Sequence, residues 1–292
     1  MVTAALMETP ALTDFDRRIT PARPDLAAAS LQGIIPAPRY VQGETRQVIE
    51  TTVTLRKDPD FSASIDTELL YGETFTVYDE MEGWAWGQAA SDGYVGWLSA
   101  NALGAVQTPT HRVSALRTFV YPVPSIKAPQ MMALSYGSAL AVTGSNGAFL
   151  ALEGWGFVFA EHAGPVGAHE SDAVAVAETF LRVPYLWGGK SSLGLDCSAL
   201  VQTSLAACGI ACPRDSDMQE RALGHPLDPD TPLAQLRRGD LLFWKGHVAM
   251  VRDTDTMIHA TGHLMAVVVE GLREGIERIA AAGSPLRSIR RL

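Results

Sequence analysis

Residues 194–201 read GLDCSALV, and they predict the start of a buried helix that carries a reactive cysteine. With a helix beginning near Asp196, positions 197, 200, 201, 204, 205 and 208 share one face, which is mostly apolar. Asp196 is a good N-cap, and Cys197 lies in the first turn, where unpaired N–H groups and the helix dipole favour a thiolate. The same N–H groups can stabilise an oxyanion. Cys197 is therefore a candidate nucleophile, although the helix alone equally fits a cysteine that only packs.

A general base has to come from elsewhere in the chain, and two histidines are placed for that role. Residues 239–244 predict a strand, and residues 247–251 predict a return strand that begins with His247. His259 lies on the next apolar run, so antiparallel pairing of these strands would let it orient the His247 ring. A metal site is the alternative, but Cys197 and these histidines lack the paired spacing of zinc modules, so we predict none. The other histidines and cysteines are predicted only to pack: His111, His162, His169, His225, His263, Cys208 and Cys212.

The chain upstream of the cysteine predicts two small β-barrels. Residues 73–78 alternate polar and apolar side chains, and Asp92-Gly93 is a hairpin signal. Several short strands separated by turns are typical of a small barrel. Residues 135–138 (SYGS) resemble residues 70–73 (LYGE), which indicates an internal duplication of the module. Beyond about residue 170, helical segments precede short strands, which predicts an α+β domain.

These patterns divide the chain into four segments: a 1–44 extension, a 45–105 barrel, a 106–163 barrel and a 164–292 α+β domain. The extension is rich in Pro, Ala and Thr, and reads as an arm packed on the body or as a partly mobile tail. Its composition does not indicate a function.

Composition excludes several classes of protein. The net charge is −9, and no short run of Lys and Arg is present, so we expect no nucleic-acid partner. No stretch of about 18 uncharged apolar residues predicts a membrane span. The three cysteines form no CxxC pair, which argues against a disulfide framework and is compatible with a reducing compartment. The N-terminus lacks a basic n-region, so we expect a cytoplasmic protein, or a periplasmic or secreted one if a leader is missing.

Five motifs carry a resemblance to a known family. They are PYLWGG at 184–189, LDCS at 195–198, PRDS at 213–216, GDLLF at 239–243 and GHVAMV at 246–251. Their types and order resemble the NlpC/P60 family of cell-wall peptidases. The upstream part resembles two copies of the bacterial SH3 domains that accompany such catalytic domains. The whole layout resembles the γ-D-glutamyl-L-diamino-acid endopeptidases.

The resemblance implies a papain-like catalytic domain with a Cys197, His247 and His259 triad. The third position accepts several polar residues across the family. Tyr185 matches the tyrosine of the oxyanion site, and Trp187 matches the aromatic residue that lines the cleft.

The resemblance also implies a pocket for the free amine of an N-terminal L-Ala. Asp215 matches the acidic residue after the catalytic helix, and Glu73 and Tyr94 are the matches in the first barrel, with Glu82 as the alternative to Glu73. An ammonium in a partly closed pocket needs a carboxylate partner. The alternative interpretation is that Glu73 is a solvated charge in a turn and that Tyr94 is an aromatic residue of the barrel without a role in binding. Three serines complete the assignment: Ser198 and Ser216 to substrate binding, and Ser138, which replaces the glutamate in the second barrel, to a structural role.

The expected activity is therefore that of a cysteine endopeptidase without a cofactor. It would cut the γ-D-Glu–diamino acid bond of small murein peptides that begin with free L-Ala, in cell-wall peptide recycling. Three alternatives stay open at this point: an exported hydrolase acting on intact peptidoglycan stems, an acyltransferase using the same nucleophile, and a wall-binding protein with a dead catalytic domain. The last requires loss of the cysteine or histidine, and both are present.

Overall fold

The computed structural model describes residues 15–292, which form three β-rich or α+β units and an N-terminal arm. The arm has three short strands: β1 (Ala22–Arg23), β2 (Leu26–Ala28) and β3 (Tyr40–Val41). Leu26 is fully buried against Trp84, Trp86 and Trp97 of the following unit. The guanidinium of Arg23 lies 4.9 Å from the ring centroids of Trp86 and Trp97. The arm is thus packed on the body from residue 15 onward.

The first β unit (residues 44–104) is a seven-stranded antiparallel sheet in the order β10-β4-β7-β8-β9-β5-β6. Its strands are β4 (Glu44–Val48), β5 (Thr52–Arg56), β6 (Ile65–Leu70), β7 (Thr74–Met81), β8 (Trp84–Ala89), β9 (Val95–Ser99) and β10 (Leu103–Gly104). Leu55, Leu69, Phe75 and Leu98 are fully buried and form its core. Between residues 15 and 292, β6 and β10 are the unpaired edges, so strand pairing leaves the sheet open.

The second β unit (residues 111–165) divides the same architecture between two sheets, β14-β11-β18 and β13-β12-β17-β16-β15. Its strands are β11 (His111–Val113), β12 (Arg117–Tyr121), β13 (Met132–Ser135), β14 (Ala139–Leu140), β15 (Val142–Asn146), β16 (Phe149–Leu152), β17 (Phe157–Phe159) and β18 (Ala163–Pro165). The strand order of the second unit repeats that of the first when β14 and β15 are counted together as the counterpart of the single strand β7. The repeat in topology agrees with the sequence repeat. Ser138 is fully buried here.

The third unit (residues 173–291) packs helices against a six-stranded antiparallel sheet, β21-β26-β22-β23-β24-β25. Its helices are α1 (Ala173–Thr179), α2 (Cys197–Ala207), α3 (Ser216–Ala222) and α4 (Leu272–Ala281). Its strands are β19 (Lys190–Ser191), β20 (Gly194–Leu195), β21 (His225–Leu227), β22 (Leu241–Trp244), β23 (His247–Val251), β24 (Thr256–Thr261), β25 (Ala266–Gly271) and β26 (Ser288–Arg291). Short 3-10 helices occur at Ala29–Leu31, Ala100–Ala102, Ala160–His162 and Leu233–Gln235.

Two hydrophobic clusters fix the helices of the third unit on opposite faces of its sheet. Leu200 and Leu205 of α2 are buried against Phe243 and Ile258 on one face. Leu272 of α4 is buried on the other face, in a separate cluster. This arrangement fits the predicted α+β class and sets the start of α2 against β23 and β24. Within the part of the chain that the structure describes, no helix is both long and apolar enough to cross a membrane.

Candidate active site

The nucleophile candidate begins helix α2, as the sequence predicts. Asp196 is the N-cap, and its Oδ1 accepts a hydrogen bond from the N–H of Ala199 at 2.8 Å. Cys197 is buried, with its sulfur near the backbone N–H groups of Ser198 and of Val248 on β23. His247 is the residue before Val248, so packing of α2 on β23 places the backbone of the predicted base close to the cysteine.

A buried arginine holds the N-cap in position. Arg214 is only 1 % exposed, and its Nη2 and Nη1 donate to Asp196 Oδ2 and Oδ1 at 2.7 and 2.9 Å. Nη1 also donates to Ser198 Oγ at 2.9 Å, while that hydroxyl donates to Asp196 Oδ1 at 3.0 Å. The Ser198 hydroxyl is therefore buried and engaged by this ion pair, which stabilises the helix start, and its assignment to substrate binding stays a prediction.

The protonation state of the cysteine differs from the sequence-based expectation of a thiolate. Burial, and then the Asp196 carboxylate, raise the pKa of Cys197 to about 12. The N–H groups of Val248 and Ser198 lower it, but they do not offset the cost of burying a charge. Burial, and then His259, lower the pKa of His247 to about 3. Burial thus favours the neutral thiol over the thiolate and the neutral imidazole over the imidazolium.

His259 lies behind His247, as predicted from strand pairing. His247 Nε2 and His259 Nδ1 are 2.9 Å apart, which leaves Nδ1 of His247 free to act as the base. His259 is fully buried on β24, and burial lowers its pKa to about 4. Its Nε2 lies 3.2 Å from Glu270 Oε2.

Glu270 extends this relay and was not identified from the sequence. Arg278 donates to both Glu270 oxygens at 2.7 Å and holds the pKa of that carboxyl below its usual value. An ionised Glu270 favours a proton on Nε2 of His259, so that Nδ1 of His259 accepts the Nε2 proton of His247. The charge of Glu270 thereby selects the tautomer in which His247 can act as a base. In the sheet, His259 of β24 pairs with Val268 of β25, and Glu270 lies two positions after Val268 on β25. This spacing was the only signal for Glu270 in the sequence.

Of the two predicted aromatic residues, Tyr185 lies near Cys197 and Trp187 is exposed. Burial, and then the neighbouring Cys197, raise the pKa of Tyr185, so its phenol stays protonated and able to donate. Trp187 is 67 % exposed, at the start of the glycine-containing loop that leads to Asp196. These positions are compatible with the oxyanion and cleft-lining roles, which remain predictions.

Two predicted residues from different units meet directly. The hydroxyl of Tyr94, a buried residue of the first β unit, donates to Asp215 Oδ2 of the third unit at 3.1 Å. Asp215 precedes α3, and its side chain makes no capping hydrogen bond; its Oδ2 also accepts from Arg18 Nη1 at 2.7 Å. Ser216, the first residue of α3, is half-buried beside it. The predicted contribution of the first barrel to a pocket on the third unit thus has a structural basis.

The structure pairs Glu73, the predicted amine ligand of the first barrel, with Lys190. Its two oxygens accept from Lys190 Nζ at 3.0 Å each, and Oε2 also accepts from the N–H of Leu70 at 2.8 Å. Both side chains are largely buried, Lys190 at 6 % and Glu73 at 15 % exposure, so the carboxylate is neutralised by a structural ion pair. The alternative, Glu82, is exposed at the tip of the β7–β8 hairpin, with φ of 51°. Neither glutamate is a free acid facing Tyr94.

The second acid of the pocket is Asp66, which sequence reasoning missed. Burial raises its pKa, Arg17 opposes this, and Asp215 adds to the increase. Asp66 and Asp215 also raise the pKa of Tyr94, in addition to burial. Among residues 15–292, the buried Oδ2 of Asp66 has no hydrogen-bond partner. Two carboxylates and a phenol therefore lie close together, and Oδ2 of Asp66 is the buried carboxylate oxygen among them without a hydrogen bond.

Strand β6 joins the first β unit to the loop before the nucleophile. Thr67 Oγ1 accepts from Arg214 Nε at 2.7 Å, and Glu68 Oε2 accepts from the N–H of Lys190 at 2.9 Å. Gly188 has φ of +73°, and a Cβ there would lie 2.7 Å from the carbonyl oxygen of Ile65, so only glycine fits. The N–H of Gly188 in turn donates to Asp196 Oδ2 at 3.0 Å. The first β unit therefore supports the same N-cap that positions Cys197.

Comparison with known families agrees with this architecture. The model of the bacterial dipeptidyl-peptidase SH3 domain matches residues 55–103, and the model of the NlpC/P60 family matches residues 182–278. One SH3 match is found, in the first β unit, so a second SH3 domain in the second unit remains a prediction. The chain belongs to the NlpC/P60 family and carries an SH3 domain in front of its peptidase domain.

Two curated relatives align across most of the chain. A γ-D-glutamyl-L-lysine dipeptidyl-peptidase of Bacillus subtilis is 30 % identical over 221 residues, which cover 67 % of this chain and 72 % of the relative. Dipeptidyl-peptidase 6 of Lysinibacillus sphaericus is 28 % identical over 239 residues, covering 73 % and 86 %. The crystal structure of an NlpC/P60 family protein from Bacillus cereus has a TM-score of 0.70 at 22 % identity, over 85 % of this chain and 99 % of that one. Its likeness shows the shared fold, and the family makes this chain a hydrolase of the peptidase type.

Proposed function

We propose that the protein is a cysteine endopeptidase that cuts the γ-D-Glu–diamino acid bond of murein peptides with a free N-terminal L-Ala. Relatives named for γ-D-glutamyl-L-lysine dipeptidyl-peptidase activity support the choice of bond. The positions of Cys197, His247 and His259 support the choice of chemistry.

The observation that carries the proposal is the pocket formed by Asp66, Tyr94 and Asp215. A buried carboxylate oxygen without a partner is costly, and an ammonium group of a ligand satisfies it. The first β unit contributes Asp66 and Tyr94 to the pocket and the third unit contributes Asp215, so the pocket lies where the two units meet. A peptide that begins with free L-Ala supplies the cation, whereas an N-terminus linked to a sugar supplies none.

The mechanism starts from a neutral thiol and a neutral imidazole. His247 removes the thiol proton as Cys197 attacks the γ-carbonyl carbon of D-Glu, and the N–H of Cys197 and the hydroxyl of Tyr185 donate to the oxyanion. Collapse expels the amine of the diamino acid, which takes the proton from His247. Water, deprotonated by His247, then attacks the thioester, and L-Ala-D-Glu leaves as the sulfur recovers its proton.

The free-amine requirement also suggests a place for the reaction. Peptides with a free L-Ala arise only after the sugar has been removed, so the enzyme would act late, in recycling of murein peptides. We propose on this ground a cytoplasmic role. An exported hydrolase acting on intact stems is the alternative, and it would have to accept an acylated L-Ala.

The test compares L-Ala-γ-D-Glu-L-Lys with its N-acetylated form, each with wild type and with Cys197→Ala, by mass spectrometry of the products. We expect the free tripeptide to be cut into L-Ala-D-Glu and lysine, and the acetylated one to be cut at least about 100-fold more slowly, because a buried carboxylate loses its cation. The cysteine variant should be inactive on both. Similar rates on the two peptides would favour the intact-stem alternative, and transfer of the dipeptide to an added amine would indicate an acyltransferase.

A further inference from the structure

The N-terminal arm enters the proposed ammonium pocket through Arg18. The carbonyl oxygen of Arg18 accepts from the N–H of Val95 at 2.7 Å, directly beside Tyr94 in the chain. The carbonyl oxygen of Ile19 accepts from Gln88 Nε2 at 3.0 Å. The backbone of the arm is therefore fixed to the first β unit at the position from which the Arg18 side chain departs.

The guanidinium of Arg18 is bound by three carboxylates. Nη1 donates to Asp215 Oδ2 at 2.7 Å and to Asp217 Oδ1 at 2.8 Å, and Nη2 donates to Asp217 Oδ2 at 2.9 Å. Nη2 and Nε also bond Asp16, at 2.7 to Oδ2 and 3.0 Å to Oδ1. Planar, multiply bonded guanidinium groups hold carboxylates in a defined orientation. Three carboxylates are thus bound by one side chain of the arm.

Asp215 is the acid that both the arm and the pocket use. Tyr94 and Arg18 donate to the same oxygen, Oδ2, and within residues 15–292 no hydrogen bond ends on Oδ1. On the basis of the proposed function, we infer that Arg18 is a positioning residue for substrate recognition. It fixes Oδ2 of Asp215 so that Oδ1 is presented, together with the unpartnered Oδ2 of Asp66, to the N-terminal ammonium of the substrate.

The charges around Arg18 support a fixed role rather than competition with the substrate. Arg18 lowers the pKa of Asp217 to about 2, chiefly through its hydrogen bonds, and it lowers that of Asp16 as well. Without Arg18, Asp217 and Asp215 would repel each other across two positions of the chain. A side chain with this many bonds and a pinned backbone forms part of the pocket wall, and an incoming ammonium does not have to displace it.

Arg23 provides a matched control on the same arm. It stacks on Trp86 and Trp97 at 4.9 Å and pairs with Asp25 at 2.7 Å, away from Asp215. Arg23→Ala therefore weakens the anchoring of the arm without touching the pocket. Any effect that Arg18→Ala has only because the arm loosens should appear in Arg23→Ala too.

The experiment measures kcat and KM of the wild type, Arg18→Ala, Arg18→Lys and Arg23→Ala. The substrates are L-Ala-γ-D-Glu-L-Lys and its propionyl analogue, which lacks the amine. We expect Arg18→Ala to raise KM for the free tripeptide about tenfold, with kcat within about twofold, as loss of one charged hydrogen bond to the binding acid implies. Arg18→Lys should recover part of the loss, Arg23→Ala should resemble the wild type, and the slow cleavage of the propionyl peptide should not change.

Three outcomes would overturn the inference. Equal effects of Arg18→Ala and Arg23→Ala would show that the arm acts only as packing. A lower KM in Arg18→Ala would show that Arg18 competes with the substrate ammonium. An equal rise in KM for the propionyl peptide would show that Arg18 acts on something other than the amine. Failure of the wild type itself to distinguish the two peptides would instead contradict the proposed function.

Discussion

The Glu73–Lys190 ion pair allows a test of whether Glu73 binds the substrate or only stabilises the fold. Replacing Glu73 with Gln leaves the Lys190 ammonium, at 6 % exposure, without a carboxylate. Removing one partner of a buried ion pair costs about 3–5 kcal/mol. The glutamine oxygen still accepts one bond and the site is 15 % exposed on the glutamate side, so the lower end, about 3 kcal/mol, is expected here.

The assay combines urea unfolding, followed by tryptophan fluorescence, with kinetics on L-Ala-γ-D-Glu-L-Lys. Glu73→Gln should lower the urea midpoint strongly, while KM of the folded enzyme stays within about twofold of the wild type. The double change Glu73→Leu with Lys190→Met should recover part of the stability, because neither member of the pair is left as a buried charge without the other. A tenfold rise in KM with an unchanged midpoint would refute this reasoning and return Glu73 to the substrate pocket.

Four further outcomes follow from the site. Asp66→Asn should raise KM for the free tripeptide about tenfold and leave kcat nearly unchanged, since an amide cannot neutralise the ammonium; an unaltered KM would remove Asp66 from the pocket. Glu270→Gln should lower kcat by about 10–100-fold through loss of the productive tautomer, and full activity would contradict the relay. His247→Ala should cost about 10²–10⁴-fold in kcat/KM and His259→Ala much less, whereas equal losses would mean that the two rings act as one unit. Because the folded pKa values of both histidines lie below the usual 6.5, the unfolded chain binds more protons as the pH falls; the urea midpoint should therefore decline between pH 6.5 and pH 5, and less so in His259→Asn.

Local patterns in the sequence predicted the elements that carry the chemistry. The helix expected near Asp196 is α2, and the strand expected over residues 247–251 is β23 with the same bounds. The contact between His247 and His259 followed from the antiparallel pairing of consecutive strands. In each case the information lies within a few residues of the site, or in the pairing of neighbours in the chain.

The differences at Glu73, Asp66 and Cys197 come from contacts between distant parts of the chain. Glu73 meets Lys190 across 117 positions, and no sequence pattern specifies how an edge strand of one unit meets a loop of another. Asp66 was missed because β6 reads IDTELL, in which polar and apolar residues do not alternate cleanly. The pKa of Cys197 was misjudged because the helix start is a local property, whereas burial beneath β23 is not.

The contacts between β6 and residues 188–191 determine where this protein can be cut into independently folding parts. An excised third unit would expose Arg214 Nε and Lys190 Nζ without the acceptors Thr67 and Glu73. Its nucleophile would then depend on an N-cap that has lost its outer support. Exchange of the peptidase domain between such proteins should therefore preserve activity only when β6 of the first β unit is exchanged with it. The segment that recombination has to keep together is thus larger than the segment that carries the catalytic residues.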